Sequence, residues 1–120
     1  IKFLGNVRHD KITDIYSISY SYILASKFES YSKTFFESIF NKVPVICSNV
    51  PVMNKLLINN LECLFFTFEN SDELAERIKF SILNSQEIDT MACNAYDKLK
   101  DHLDYKHIVL DQYKRILNEI

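Results

Sequence analysis

Four short apolar runs alternate with segments of helical periodicity, and this alternation constrains the fold more than any other feature of the sequence. The strand-like runs are IKFLG, YSYILAS, PVICS and LECLFFTF, at residues 1–5, 20–26, 44–48 and 61–68. Between them, apolar residues recur three or four positions apart, as an amphipathic helix requires. Strands that alternate with helices favour a parallel sheet with right-handed crossovers. We therefore predict an α/β fold, with a Rossmann-like parallel sheet of about four strands flanked by helices.

The chain is predicted to close with two or three helices. The first begins at Asn70 or Ser71, which would cap it, and carries Asp72 and Glu73 where the helix dipole favours acidic residues. The apolar stripes of the three helices are Leu74, Ile78 and Ile82; then Ile88, Met91, Ala95, Leu99 and Leu103; then Tyr105, Val109, Tyr113, Ile116 and Ile120. With 120 residues, of which 48% are hydrophobic, residues 1–120 suit a single domain with one core.

Composition argues against several classes of protein. The net charge is −2 and no basic stripe collects along one segment, so we expect no nucleic-acid partner. No apolar run approaches the roughly 18 residues of a membrane span. The three cysteines, Cys47, Cys63 and Cys93, lack the short spacing of a zinc or redox motif. We predict that they are buried, reduced thiols of a cytosolic protein and that the chain holds no metal.

Ligands of open parallel sheets bind beyond the carboxyl ends of the strands. The residues at those positions are Asn6, Val7 and Arg8; 27–34; Ser48 and Asn49; and 67–70. A phosphate-accepting signalling receiver of similar size needs aspartates at its strand ends. The strand ends here are FLGN, ILAS, VICS and FTFE, which contain none, and this argues against a receiver.

The segment ESYSKTFFES, residues 29–38, leads from the second predicted strand into a helix. The first amides of a helix lack partners within it and, with the helix dipole, form a site suited to a diphosphate. Ser32 and Thr34 are small enough to let a phosphate approach, and Lys33 adds positive charge. Glu29 and Glu37 flank these residues, and carboxylates accept paired hydrogen bonds from vicinal hydroxyls. A nucleotide diphosphate sugar fits this pattern; alternatively, both glutamates are solvated and a hydroxyl merely caps the helix.

The run ILASKFESYSKTFFESIFNKVPVICSNV, residues 23–50, resembles the donor-binding segment of GT-B fold, retaining glycosyltransferases of the glycosyl transferases group 1 family. The corresponding positions are Ser26, Glu29, Ser30-Tyr31-Ser32, Glu37 and Pro44-Val45. IKFLGNV and FTFENSDELAERIKFSI resemble the family's flanking segments, so the resemblance covers essentially the whole chain in register.

The resemblance implies roles for individual residues. Glu29 would bind the donor sugar's hydroxyls beside the reacting anomeric centre, as the catalytic residue, and Glu37 would bind the ribose. The loop of Val7 and Arg8 would meet the nucleobase, through the backbone of Val7. Backbone amides would hold the sugar and the diphosphate; they belong to Tyr31, Ser32, Lys33 and Thr34. The resemblance implies no cofactor, with the nucleotide diphosphate sugar as substrate, and no metal.

The same resemblance implies that parts of the family's domain are missing from this chain. The family's C-terminal domain starts two strands earlier, with an arginine and a lysine that grip the diphosphate, and follows an N-terminal acceptor domain. We therefore expect residues 1–120 to be a partial donor-binding domain that is inactive alone. The missing strands would lie between the chain's first and second strands, which favours re-pairing or self-association of the fragment.

The implied activity is transfer of a hexose to a glycan, a lipid or a small acceptor, in cell-surface polysaccharide synthesis. The full-length protein would be cytoplasmic or peripheral to the inner face of the membrane. The sequence departs from the family where Ser30 and Ser32 replace glycines, and Asn41 would replace a glycine as the left-handed helix end. These departures leave one alternative open, a degenerate relative that binds a nucleotide or a protein without catalysis.

Overall fold

The computed structural model describes residues 1–30 and 32–101, apart from the side chain of His9. Its strands and helices alternate through most of the chain and end with two consecutive helices. The elements are α1 His9–Ile18, β1 Tyr22–Leu24, α2 Lys33–Phe40, β2 Val45–Ser48, α3 Pro51–Leu56, β3 Leu64–Phe66, α4 Ser71–Leu83 and α5 Ser85–Leu99. This order confirms the predicted α/β fold with a parallel sheet.

The sheet has the order β1-β2-β3, and both strand pairs are parallel. Every residue of the central strand β2 is buried. On one face, Val45 and Cys47 pack with residues of α2, α3 and the end of α5; on the other, Ile46 packs with β3 and the start of α5. Helices therefore cover β2 on both sides, as is usual for a strand inside a parallel sheet.

The predicted first strand, residues 1–5, is wrong. The described residues contain three strands rather than four, and none of them pairs with this segment. The side chains of Ile1, Phe3 and Leu4 are exposed. A strand exists only through hydrogen bonds to a neighbour, so apolar composition without a partner gives no strand. The continuously apolar centre of residues 20–26 predicts a strand covered on both faces. That prediction is wrong, because β1 lies at an edge of the sheet and its Ile23 is 42% exposed.

The end of α2 differs from the prediction by one residue. Asn41 has φ −86° and donates its side-chain amide to the carbonyl of Glu37 at 2.8 Å. The left-handed conformation falls instead on Lys42, at φ 53°. The Lys42 ammonium lies 4.8 Å from the centre of the Tyr96 ring. This cation–π contact joins the end of α2 to α5 and favours the conformation.

Two further predictions, the burial of Cys93 and of Ile82, are wrong because each residue lies on the outer side of its helix. Cys47 and Cys63 are buried free thiols, and the neighbouring Cys63 thiol together with burial raises the pKa of Cys47. Cys93 is exposed, because α5 turns Ala92 and Ala95 toward the core and Cys93 falls on its outer side. Ile82 of α4 is likewise exposed, while Leu74 and Ile78 pack against the core. Leu103 and the predicted helix over 105–120 lie outside the described residues.

The predicted cap of α4 is confirmed. The side chain of Asn70 accepts a hydrogen bond from the amide of Glu73 at 3.0 Å. The Glu73 carboxylate accepts from the amide of Thr67 at 2.7 Å, and this bond is the main reason that the pKa of Glu73 is lowered. These bonds fix the chain between β3 and α4. None of the described helices is long and apolar enough to cross a membrane.

Two tyrosines join α1 and β1 to the first turn of α2. The buried Tyr16 donates its hydroxyl to the carbonyl of Thr34 at 3.0 Å. The hydroxyl of Tyr22 lies 2.8 Å from Oγ1 of Thr34. Burial, with smaller contributions from the charges of Glu37 and Tyr22, raises the pKa of Tyr16 to about 12. The start of α2 is therefore anchored by side chains from two preceding elements.

We expect Tyr16→Phe to lower the free energy of unfolding by about 1 kcal/mol at neutral pH, because the bond to Thr34 is lost. The folded protein holds the Tyr16 proton more tightly than the unfolded chain, whose tyrosines titrate near pH 10. The higher free energy of unfolding of the wild type is thus fully present below about pH 10 and is lost as the pH rises toward 12. Denaturant titrations of both proteins at several pH values measure it; a difference independent of pH would contradict the assignment.

Candidate functional site

The candidate site lies at the carboxyl ends of β1 and β2, where the chain passes through residues 25–32 into α2. In a parallel sheet these ends share one edge, and α2 begins beside them. Of the predicted site residues, Tyr31 alone lies outside the described residues.

The N-terminus of α2 is capped by Ser32. This residue has φ −99°, and its side chain accepts a hydrogen bond from the amide of Phe35 at 3.4 Å. The first bond inside the helix runs from the amide of Phe36 to the carbonyl of Ser32, at 3.2 Å. The amides of Lys33 and Thr34 precede that bond, so the helix offers them no acceptor. Serine at position 32 carries no steric cost, because its φ is negative.

The polar side chains of the first turn of α2 lie close together. The Lys33 ammonium lies 3.7 Å from Oε1 of Glu37, one turn along the helix. Lys33 is largely exposed, whereas the side chain of Glu37 is 21% exposed. The hydroxyl of Thr34 contacts Tyr22 and lies 3.4 Å from that of Ser32. One cation, one carboxylate and two helix amides without acceptors in the helix thus occupy a single turn.

Glu29 is held by the loop that precedes α2. Its Oε1 accepts a hydrogen bond from the hydroxyl of Ser26 at 2.7 Å. Ser26 is itself tied to the last residue of β2, because its amide donates to the hydroxyl of Ser48 at 3.1 Å. Glu29 is half-buried, four residues before the start of α2. This carboxylate is therefore fixed with respect to the sheet.

The other predicted pair of site residues lies at the start of α1. Val7 is half-buried, and Arg8 is the N-cap residue of α1. The exposed guanidinium of Arg8 donates to both carboxylate oxygens of Asp10, at 3.0 and 3.1 Å. In the structure, Glu29 is hydrogen-bonded to Ser26 and Glu37 lies beside Lys33. Arg8 instead pairs with Asp10 of its own helix. The link from α1 to α2 is made by Tyr16.

Tyr16 and Tyr22 are the two residues of this site that the sequence patterns do not single out. The indication in the sequence is that tyrosine, not phenylalanine, occupies apolar positions of α1 and β1. A buried tyrosine hydroxyl needs a hydrogen-bond partner. Here both hydroxyls find one in Thr34. Among the described residues, no group of three or more histidine, cysteine, aspartate or glutamate side chains is placed to hold a metal ion.

Several solved structures share this fold. Sucrose-phosphate synthase from Thermosynechococcus elongatus superposes with a TM-score of 0.88 at 19% identity, over 99% of this chain and 31% of its own. Anabaena HepE, solved in complex with UDP, gives 0.80 at 22% identity, over 94% of this chain and 31% of its own. The C-terminal domain of the group 1 glycosyl transferase LpcC from Francisella tularensis gives 0.71 at 19% identity, over 84% and 51%.

This chain spans about a third of the length of the first two of these proteins, at 31% each. No curated protein matches its sequence significantly. The family described as glycosyl transferases group 1 matches residues 1–98, which is most of the 120 residues. The match includes all of β1, α2 and β2 and therefore the whole candidate site. The chain belongs to the glycosyl transferases group 1 family.

Proposed function

We propose that this chain is the donor-binding part of a glycosyltransferase that moves a hexose from a nucleotide diphosphate sugar. One observation carries the proposal: the capped N-terminus of α2 lies at the carboxyl end of the sheet between two positioned carboxylates, Glu29 and Glu37. Family membership sets the reaction class. The two carboxylates and the helix start supply the features that such a donor needs.

The diphosphate would bind at the first turn of α2. The amides of Lys33 and Thr34 have no acceptor inside the helix and carry its positive dipole end. Lys33 adds a full charge beside them. During transfer, negative charge develops on the departing nucleoside diphosphate, and fixed donors of this kind stabilise it. The amides of Ser32 and Tyr31 belong to the same proposal, as residues that hold the sugar.

The two carboxylates would bind hydroxyl groups at opposite ends of the diphosphate. We assign Glu29 to the donor sugar and the reacting carbon, and Glu37 to the ribose. Each assignment rests on the family's pattern and on a side chain that is already held, Glu29 by Ser26 and Glu37 beside Lys33. The backbone of Val7, with Arg8 next to it, would meet the base. The hydrogen bond from Tyr16 of α1 to Thr34 of α2 holds the start of α1 and the start of α2 in the same part of the structure.

The activity, substrates and location of the whole protein extend this proposal. Transfer needs an acceptor, which we place on the part of the family's architecture that this chain does not span. A glycan, lipid or small acceptor in cell-surface polysaccharide synthesis is proposed, with the protein in the cytoplasm or at the inner face of the membrane. Self-association of the chain stays a prediction, and the exposed side chains of Ile1, Phe3 and Ile23 support it.

We expect Glu37→Ala to weaken nucleotide binding about tenfold to one hundredfold, because a charged hydrogen bond to the ribose is lost. Isothermal titration of the intact protein with UDP, GDP, ADP and CMP measures this. UDP is the first choice because Anabaena HepE was solved with it. Glu76→Ala, which removes an exposed glutamate from α4, is the matched control and should leave binding unchanged.

Failure of every nucleotide to bind the folded wild-type protein would overturn the proposal. It would favour the degenerate relative that binds a protein instead. Binding that Glu37→Ala leaves intact would retain a nucleotide site but remove Glu37 from it.

We expect Glu29→Gln to lower turnover of the nucleotide sugar about one hundredfold or more, the scale of losing one group aligned on a transition state. The affinity for the nucleoside diphosphate alone should stay within about twofold, because Glu29 is assigned to the sugar and the reacting carbon. Steady-state kinetics and calorimetry on the same preparation test the split. A parallel loss of nucleotide affinity would place Glu29 on the nucleotide instead.

A further inference from the structure

We propose that Ser26 and Ser48 are positioning residues that aim the carboxylate of Glu29, through a relay of hydrogen bonds from β2 to the loop before α2. The inference rests on the proposed function only for the role of Glu29. The relay itself consists of contacts between described residues, and it can be tested without a donor.

The relay begins at Ser48, the last residue of the central strand. Its side chain is buried, with 1% of the residue exposed. A hydroxyl in that position costs free energy unless it is hydrogen-bonded. Its oxygen accepts a hydrogen bond from the amide of Ser26 at 3.1 Å. The same oxygen lies 2.5 Å from the carbonyl oxygen of Ser26 and 3.3 Å from that of Leu24, and both carbonyls are acceptors for the hydroxyl. Ser48 therefore holds both backbone groups of Ser26.

The second step runs from Ser26 to Glu29. The Ser26 hydroxyl donates to Oε1 of Glu29 at 2.7 Å, the short distance expected of a bond to a charged acceptor. A carboxylate has two oxygens with several lone pairs, so this bond leaves Oε2 able to accept from a hydroxyl of a sugar. The backbone of Ser26 is fixed by Ser48, and its side chain fixes Glu29. The orientation of the carboxylate is thus set by the sheet.

Comparison with two other serines that are almost completely buried supports a positioning role for Ser48. Ser38 and Ser81 are buried to the same degree. Their hydroxyls bond the carbonyls of Phe35 and Ile78, three residues back in their own helices. Such bonds satisfy a buried hydroxyl locally. Ser48 instead bonds residues of a different element, 22 and 24 positions away, at the edge where the candidate site lies.

Crystal structures of variants of the intact protein test the relay directly. In Ser26→Ala, the Glu29 carboxylate should move more than about 1 Å or occupy several rotamers, because its donor is gone. In Ser48→Ala, residues 25–29 should shift with it. Ser26→Thr keeps the hydroxyl and should keep Glu29 in place, and Ser81→Ala is the control for loss of a buried hydroxyl. An unchanged Glu29 in both alanine variants would overturn the proposal.

A double-mutant cycle in turnover tests the functional consequence. With UDP-glucose as the probe, or the nucleotide sugar whose base the titrations identify, Ser26→Ala should lower kcat about tenfold to one hundredfold, and UDP affinity should stay unchanged. In the Glu29→Gln background the same substitution should have almost no further effect, because the residue acts only through Glu29.

The two failures are distinguishable. If Ser26→Ala lowers turnover equally in both backgrounds, the positioning role is wrong while the proposed function stands. If Glu29→Gln alone leaves turnover unchanged, the proposed function of Glu29 is wrong, and the crystal structures still decide the relay. Where Ser48→Ala fails to fold, Ser26→Ala, at a half-buried loop position, carries the test.

Discussion

The burial of β2 on both faces is the constraint on which the rest of this structure depends. Each of its four residues is buried, and Val45, Ile46 and Cys47 alternate between two apolar clusters. Helices must therefore cover both sides of the strand. α2 covers one side, and it begins after the loop that follows the carboxyl end of β1. The position of the candidate site thus follows from how the core is packed.

The site is supported by side chains from three elements that precede or follow it. Tyr16 of α1 and Tyr22 of β1 hold Thr34, and Ser48 of β2 holds the loop that carries Glu29. Most of these bonds are made by buried or half-buried hydroxyls. A diphosphate is bound best by donors that do not have to reorganise, and a helix start fixed from several sides provides them.

The sequence predicts features whose causes are local. The strand at residues 44–48 and the cap of α4 at Asn70 both follow from patterns within about ten residues, and the structure confirms each. The loop with Glu29 and the start of the helix that carries Glu37 could likewise be located, because strand ends can be read from the pattern. Residues 1–5 could not, because their apolar composition says nothing of a partner strand.

The supporting contacts of the site escaped the sequence analysis for the same reason. The Tyr16 hydroxyl reaches a carbonyl 18 residues away, and the Tyr22 hydroxyl a side chain 12 residues away. Nothing in a single sequence specifies such partners. The exposure of Cys93 depends on which side of α5 packs against the core. The left-handed conformation of Lys42 occurs where the end of α2 contacts Tyr96 of α5.

The central claim is that the start of α2 binds a diphosphate. Amide NMR of the intact ¹⁵N-labelled protein tests it most directly, by comparing titration with UDP against titration with uridine, which lacks the phosphates. The account predicts that UDP, but not uridine, gives its largest shifts at the amides of Lys33 and Thr34. Equal shifts from both ligands at these amides, or UDP shifts confined to other parts of the chain, would contradict it.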